Sequence, residues 1–344
     1  MASLLEHEAA ETPALASRQF ERLRRELPGV VARIEQFSPT LIATIARGSS
    51  DNAAAFAAYL AGLRLALATA SVPPSLASVY QCTLRLERAV VLAISQSGTS
   101  PDLCAAVAGA RDGGALTLGV TNAADSALAH TVDIVIEMGA GPELAVAATK
   151  TFLLSLTALL HLIAEWTRDS SLIAALDQLP ETLTRCDRVD WDAAVQLLAE
   201  HDDAFVVARG PMLPVGRELA LKLKEVCGIH AEAVSAAELL HGPISLASPS
   251  LPAIVLAGDA PTRASIGEAL SQLHVAGASV LLLSPHQERL GQKTHVVSVP
   301  TAPDPLLQPV VTLHTAYPLT ARLARARGRD PDHPPHLAKI TRTL

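Results

Sequence analysis

Residues 89–103, AVVLAISQSGTSPDL, place five hydrogen-bonding side chains between an apolar run and a proline that suits the first position of a helix. A helix that opens just past the carboxyl end of a parallel strand presents free backbone N–H groups and the positive end of its dipole. Ser95, Gln96, Ser97, Thr99 and Ser100 add side-chain donors at the same point, with Ser100 suited to the cap. Together they form a cradle for a phosphate without any Lys or Arg. No Gly-Lys-Ser/Thr follows, so this is not a P-loop. An ordinary serine-rich strand-to-helix turn is the competing explanation. Arg47-Gly48-Ser49-Ser50-Asp51-Asn52 follows an earlier apolar run, where Gly48 lets backbone approach closely and Ser49 or Ser50 can face the same anion. N-capping by Ser50 or Asp51 explains that segment equally well.

A second kind of chemistry lies further along. Glu218-Leu219-Ala220-Leu221-Lys222-Leu223-Lys224-Glu225 is strongly helical, and Lys222 and Glu225, three residues apart, share a face. A solvated ion pair on a surface helix has the same spacing. Downstream, Ala236-Ala237-Glu238-Leu239-Leu240-His241-Gly242-Pro243 sets a histidine at a helix exit, held by a stiff turn. A carboxylate, an ammonium and an imidazole close together make a proton-transfer kit. The Pro-rich tail, DHPPHLAKIT, carries Lys339, which in most tails is solvated and frayed.

Alternating apolar runs and longer helical patterns must position these groups, the signature of parallel sheets covered by helices. Strand-like runs are LIATIA (41–46), AVVLAI (89–94), ALTLGV (115–120) and VDIVI (132–136). A second set is AFVVA (204–208), AIVLA (253–257), SVLLL (279–283) and HVVSV (295–299). The sets align at offsets of 160–163 residues, Ile45-Ala46-Arg47-Gly48 answering Val207-Ala208-Arg209-Gly210, which argues for an internal duplication. The second copy reads Leu256-Ala257-Gly258-Asp259-Ala260-Pro261 where the first has its hydroxyls, so the first is the anion-binding half. The join lies between about Thr167 and Asp192, a polar helical stretch broken by Pro180.

The 344 residues suit two domains, and 49% apolar against 18% charged residues excludes global disorder. A formal charge of −7 argues against nucleic-acid binding. Cys82, Cys104, Cys186 and Cys227 are scattered without a C-x-x-C pair, which reads as reduced thiols in a cytoplasmic protein. The acidic start lacks the basic and apolar regions of a secretion signal. Residues 53–72 are Ala-rich and interrupted by Arg64, a buried helix rather than a membrane span.

ISQSGTSPD, GPELAVAATKTF, ELALKLKE, HAEAVSAAELLHGP and HLAK, in this order and spacing, resemble the double-SIS (sugar isomerase) proteins from about residue 30 to the end. That family includes the isomerase half of glutamine:fructose-6-phosphate amidotransferase and standalone glucosamine-6-phosphate deaminases. RGSSDNAA, SQSGTSPD and VAATK look closer to the deaminases. The resemblance implies an α/β fold of two tandem SIS domains, each a parallel sheet flanked by helices in a flavodoxin-like three-layer sandwich. Its boundaries would be an N-terminal helical segment over 1–30, a phosphate-binding domain over 31–180, an acid/base domain over 190–330 and a tail over 331–344 completing the site.

Carried over by residue, the resemblance places the phosphate on Ser50, Ser95, Gln96, Ser97 and Ser100, with Ser49 and Thr99 as neighbours. Glu225 would shuttle a proton between C1 and C2 with Lys222 beside it. His241, donated by the partner subunit of a homodimer, would assist ring opening. Lys339 would meet the open-chain carbonyl, and the Val146 backbone would contact the sugar. No metal or organic cofactor is implied. Two departures from the amidotransferases stand out, Ala148 in place of a serine and Thr99 in place of a glutamate. No cysteine precedes Cys82, so glutamine-dependent amination is not expected. The implied reaction is deaminating isomerisation of glucosamine-6-phosphate to fructose-6-phosphate and ammonia. Its alternatives are action on another phosphorylated amino-sugar, ammonia-dependent synthesis in reverse, and a non-catalytic sugar-phosphate-binding regulator.

Overall fold

Runs such as AVVLAI and AIVL have no polar face to offer water, so they suit strands covered on both sides, as in parallel sheets. The computed structural model describes residues 2–186, 189–286 and 294–339. Among these residues, two all-parallel sheets of five strands each form. The first holds β1 (Leu41–Ile45), β2 (Ala68–Ser71), β3 (Ala89–Ser95), β4 (Leu116–Thr121) and β5 (Ile134–Glu137) in the order β2-β1-β3-β4-β5. The second holds β6 (Asp203–Ala208), β7 (His230–Ser235), β8 (Ala253–Leu256), β9 (Val280–Ser284) and β10 (Thr294–Ser298) in the order β10-β9-β8-β6-β7. Read from its other edge, the second sheet repeats the order of the first, so the duplication is carried by topology as well as by sequence. Each sheet reverses its winding between its first and third strands.

Every apolar run anticipated from sequence is a strand, and β3, β8 and β9 are buried along their whole length. β2 and β7 had no such run to announce them. In the first sheet, Ile45, Val91 and Ala93 pack with Leu103 and Val107 of the helix Pro101–Asp112. In the second, Phe205, Val207, Val255 and Leu282 pack with Leu270 and Leu273 of the helix Arg263–Val275. Burying each such leucine or valine contributes roughly 1.5–3 kcal/mol.

The chain divides into two units. One, around the first sheet, takes residues 14–143 and 150–177 and the tail from Ala338. The other, around the second sheet, takes the first residues through Pro13, Leu144–Thr149 and most of 178–337. The N-terminal segment is therefore shared, with the helix Leu4–Ala10 in the second-sheet unit and most of Thr12–Phe37 in the first. Residues 53–72 are not one helix. The helix Ser49–Leu65 stops at Ala66, whose φ of 54° is left-handed, and the chain turns into β2. Pro180 sits inside the helix Ser170–Thr184 rather than breaking it. Among the described residues no helix is long and apolar enough to cross a membrane.

Candidate active site

β1 and β3 are neighbours at the winding reversal of the first sheet, the crevice where ligands of open α/β sheets collect. The loops leaving their carboxyl ends carry the predicted phosphate-binding residues, so Ser49, Ser50 and Ser95 through Ser100 follow two adjacent strands at the same end of the sheet. Gly48, at φ 56°, is the N-cap of the helix Ser49–Leu65. Ser50 and Asp51 therefore lie in the first turn and do not cap it. Ser100 caps the helix Pro101–Asp112 through its extended backbone, while its hydroxyl makes no capping bond. The intervening turn is built by its own hydroxyls. Gly98 N–H donates to Ser95 Oγ at 3.1 Å, Thr99 N–H donates to Ser97 Oγ at 3.4 Å, and the Ser97 and Thr99 hydroxyls lie 3.0 Å apart. Gly98 has φ 61°, and a Cβ there would stand 2.1 Å from Ser126 Oγ, so no other residue fits. Ser95 is buried as the hub of this turn, Gln96, Ser97 and Ser100 are half-buried, and Thr99 is exposed.

The second copy keeps the left-handed glycine but not the string of hydroxyls. Gly210 repeats the left-handed glycine at φ 61°. In the loop after β8, however, Thr262 Oγ1 donates to the Asp259 carboxylate at 2.8 Å, which sets a negative charge where an anion would sit.

One charged pair escaped the sequence reading. Arg47 Nε donates to Asp102 Oδ2 at 2.8 Å, joining the loop after β1 to the helix that follows β3. Asp102 is 1% exposed and the Arg47 guanidinium half-exposed. Arg47 thus offsets a buried carboxylate in the first turn of the helix that follows the hydroxyl-rich turn. A separation of 55 positions left no local signal.

In the second-sheet unit, the string read as one helix changes form. The α-helix Met212–Lys222 runs into a π-helical turn, Leu223–Cys227, which ends at Gly228 with φ 64°. Such turns concentrate at functional sites because the extra residue re-aims side chains. Lys222 is 1% exposed, so the pair is no solvated surface bridge. Lys222 Nζ donates to Glu225 Oε2 at 2.6 Å and lies 3.3 Å from Oε1 of fully buried Glu218. Burial pulls the ammonium's pKa down, but the charges of Glu218 and Glu225 outweigh it and hold the net value above the ordinary lysine range. The lysine is a fixed cation. Glu225 alone of the three opens toward solvent, its side chain 24% exposed.

His241 follows the short helix Ala236–Leu240 and is exposed. Lys222 pairs with Glu218 and Glu225. The π turn precedes β7 in the chain, and His241 follows the helix after that strand.

Lys339 is not a frayed tail residue. In the first-sheet unit its Nζ donates to Glu143 Oε2 at 2.7 Å. Glu143 is buried and also accepts Thr151 N–H at 3.1 Å and Thr151 Oγ1 at 2.7 Å. Glu143 lay in the quoted GPELAVAATKTF motif but no rule of spacing singled it out. Val146 is half-buried on Leu144–Thr149 in the second-sheet unit.

A duplicated, doubly wound α/β protein with a hydroxyl-rich turn after a central strand of one unit and a buried Glu218–Lys222–Glu225 cluster in the other is the class this geometry defines. The SIS domain matches residues 39–165 and 197–324, and the chain belongs to the SIS-domain family as a tandem repeat. It is 34% identical over 264 residues to a glutamine–fructose-6-phosphate aminotransferase [isomerizing] of Thermococcus kodakarensis, an alignment covering 74% of this chain and 44% of that protein. An aminotransferase of the same name from Aeropyrum pernix is 37% identical over 267 residues, covering 73% and 43%. The chain thus spans less than half the length of these relatives. Among solved structures, a phosphosugar isomerase candidate from Silicibacter pomeroyi superposes with a TM-score of 0.90 at 38% identity, covering 96% of this chain and 100% of that one. A glucosamine-6-phosphate deaminase of Thermotoga maritima shares the fold with a TM-score of 0.77 at 22% identity, covering 99% and 100%.

Proposed function

We propose that this protein is a phosphosugar isomerase of the SIS type that converts glucosamine-6-phosphate and water to fructose-6-phosphate and ammonia. The observation that carries the reading is the Glu218–Lys222–Glu225 relay, in which the one open carboxylate is held by a fully buried ammonium. Relatives at 34–37% identity are isomerizing aminotransferases of fructose-6-phosphate, which supports both the sugar phosphate and an isomerisation step.

In this mechanism the loops after β1 and β3 hold the phosphate, so binding energy remote from the reacting carbons orients them. His241 of a second copy moves the O1 proton to the ring oxygen and opens the pyranose. Glu225 takes the proton from C2, giving the enolamine, and returns a proton to C1, leaving the imine at C2. Water adds at C2 and ammonia departs, directly or by way of a Schiff base on Lys339. The exposure of His241, which leaves it open to a second copy, supports a homodimer in which the histidine is shared. Scattered free cysteines support a reducing, cytoplasmic setting.

The test is incubation with glucosamine-6-phosphate while ammonia and fructose-6-phosphate are measured. Equal release of both is expected, falling ~10²–10⁴-fold in Glu225→Gln. No ammonia above the Glu225→Gln level would end the proposal, and turnover confined to other amino-sugar phosphates would reassign the substrate.

A further inference from the structure

Leu144–Thr149 interrupts the sequence of the first-sheet unit yet clusters with the second. Its partners there explain why. Glu8, 3% exposed, accepts Leu144 N–H at 2.5 Å through one carboxylate oxygen and Ala145 N–H at 3.1 Å through the other. At the far end of the segment, buried Tyr317 donates its hydroxyl to the Thr149 carbonyl at 3.4 Å. Val146 lies between these two fixed points.

Glu8 rides on the helix Leu4–Ala10, seven residues long and too short to persist by itself. The second-sheet unit fastens it. Asp332 accepts Leu4 N–H at 2.8 Å and Leu5 N–H at 2.9 Å, satisfying the first turn of the helix. Arg325 pairs with Glu6 through two bonds of 2.8 and 3.0 Å, and Ser3 and Glu6 complete a capping box. A core helix needs none of this to bury an apolar face. The fastenings set the position of one carboxylate, and that carboxylate fixes two consecutive peptide planes immediately before Val146.

We infer that Glu8 is a positioning residue for the backbone at Val146, carried on a helix that Asp332 holds in place. The inference rests on the reading of Val146 as a sugar contact and adds the group that aims it. Charge-assisted hydrogen bonds to a buried carboxylate are the strong ones, so losing them frees the segment without touching the phosphate loops, which belong to the other unit.

The experiment uses the full chain and the variants Glu8→Gln and Asp332→Asn. Gln keeps the shape but turns an N–H₂ toward one of the two backbone donors. Three quantities are read: hydrogen exchange at the Leu144 and Ala145 amides, dissociation constants for fructose-6-phosphate and for inorganic phosphate, and KM and kcat on glucosamine-6-phosphate. In Glu8→Gln, exchange at both amides should rise about tenfold or more, sugar-phosphate binding should weaken by a similar factor, and phosphate binding should stay unchanged. KM should rise with kcat little altered, and Asp332→Asn should move the same way by less. Unchanged exchange, or equal weakening of sugar phosphate and inorganic phosphate, would overturn the inference, as would a kcat that falls with KM unmoved. If Glu8→Gln does not fold, Asp332→Asn decides by the same criteria. Absence of turnover in the wild-type protein would count against the proposed reaction alone, because exchange and the two binding constants still decide the role of Glu8.

Discussion

Replacing Lys222 with methionine keeps the alkyl stem and removes the ammonium, and two separable effects follow from its surroundings. Lys222 is 1% exposed beside fully buried Glu218, so Lys222→Met strips the cation from a carboxylate that water cannot reach. Breaking a buried pair from one side costs ~3–5 kcal/mol. At ~2–4 °C per kcal/mol, that lowers the melting temperature by about 10 °C. Changing Glu218 to leucine as well removes both charges, and replacing a buried pair with apolar groups is close to neutral, so stability should return to within ~2 kcal/mol of wild type. Activity should not return. Both variants leave Glu225 without the N–H bonded at 2.6 Å that fixes its rotamer, and a misplaced catalytic group costs on the order of 10²-fold. Thermal unfolding by circular dichroism and ammonia-release kinetics read the two effects separately. A melting change under about 3 °C for Lys222→Met would refute the burial argument. A double variant that recovers activity along with stability would show that Lys222 acts only through the fold.

Burial of His161 and His314 pushes each to about 4 from an ordinary 6.5, so as pH falls through 6.5 the unfolded chain takes up protons that the folded chain does not. Stability should be full above that pH and fall by up to ~1.4 kcal/mol per unit for each histidine down to about 4, and urea titrations should lose this slope in His161→Phe with His314→Leu. Gly98→Ala drives a Cβ onto Ser126 Oγ at a left-handed φ, and should cost about 2–4 kcal/mol and abolish phosphate binding by calorimetry; unchanged binding would remove the turn from the cradle. Mixing His241→Ala with Glu225→Gln protein should restore roughly a quarter of wild-type activity, since half of randomly exchanged dimers are hybrids with one intact site each. No recovery after demonstrated subunit exchange would contradict sharing of His241.

The interior of both sheets was legible because β1, β3, β4, β6, β8 and β9 must be apolar on both faces. β2 and β7 were not, because neither carries the apolar run that β5 and β10, also sheet edges, retain. β2 is ATAS with three of its four residues exposed, and β7 alternates, HAEAVS, with exposed His230 and Glu232. The hydroxyl-rich turn after β3 could be read since its residues form one contiguous string. Arg47–Asp102 and Glu8 with Leu144 could not, because those pairs are set by topology across 55 and 136 residues. The KLKE string announced the Lys222–Glu225 pair but not its geometry. Helical spacing anticipates a shared face, but not the π turn that lets Lys222 sink while Glu225 stays open. Lys339 shows the converse. A Pro-rich tail ordinarily frays, and only the distant Glu143 holds this lysine.

Glucosamine-6-phosphate labelled with deuterium at C2 tests most directly whether Glu225 moves the C2 proton. Wild-type turnover should be slower than with protium, and nuclear magnetic resonance should find part of the label at C1 of the fructose-6-phosphate formed. Glu225→Gln should lose both the turnover and the transfer. Ammonia released by Glu225→Gln at the wild-type rate, with the same distribution of label, would contradict the account.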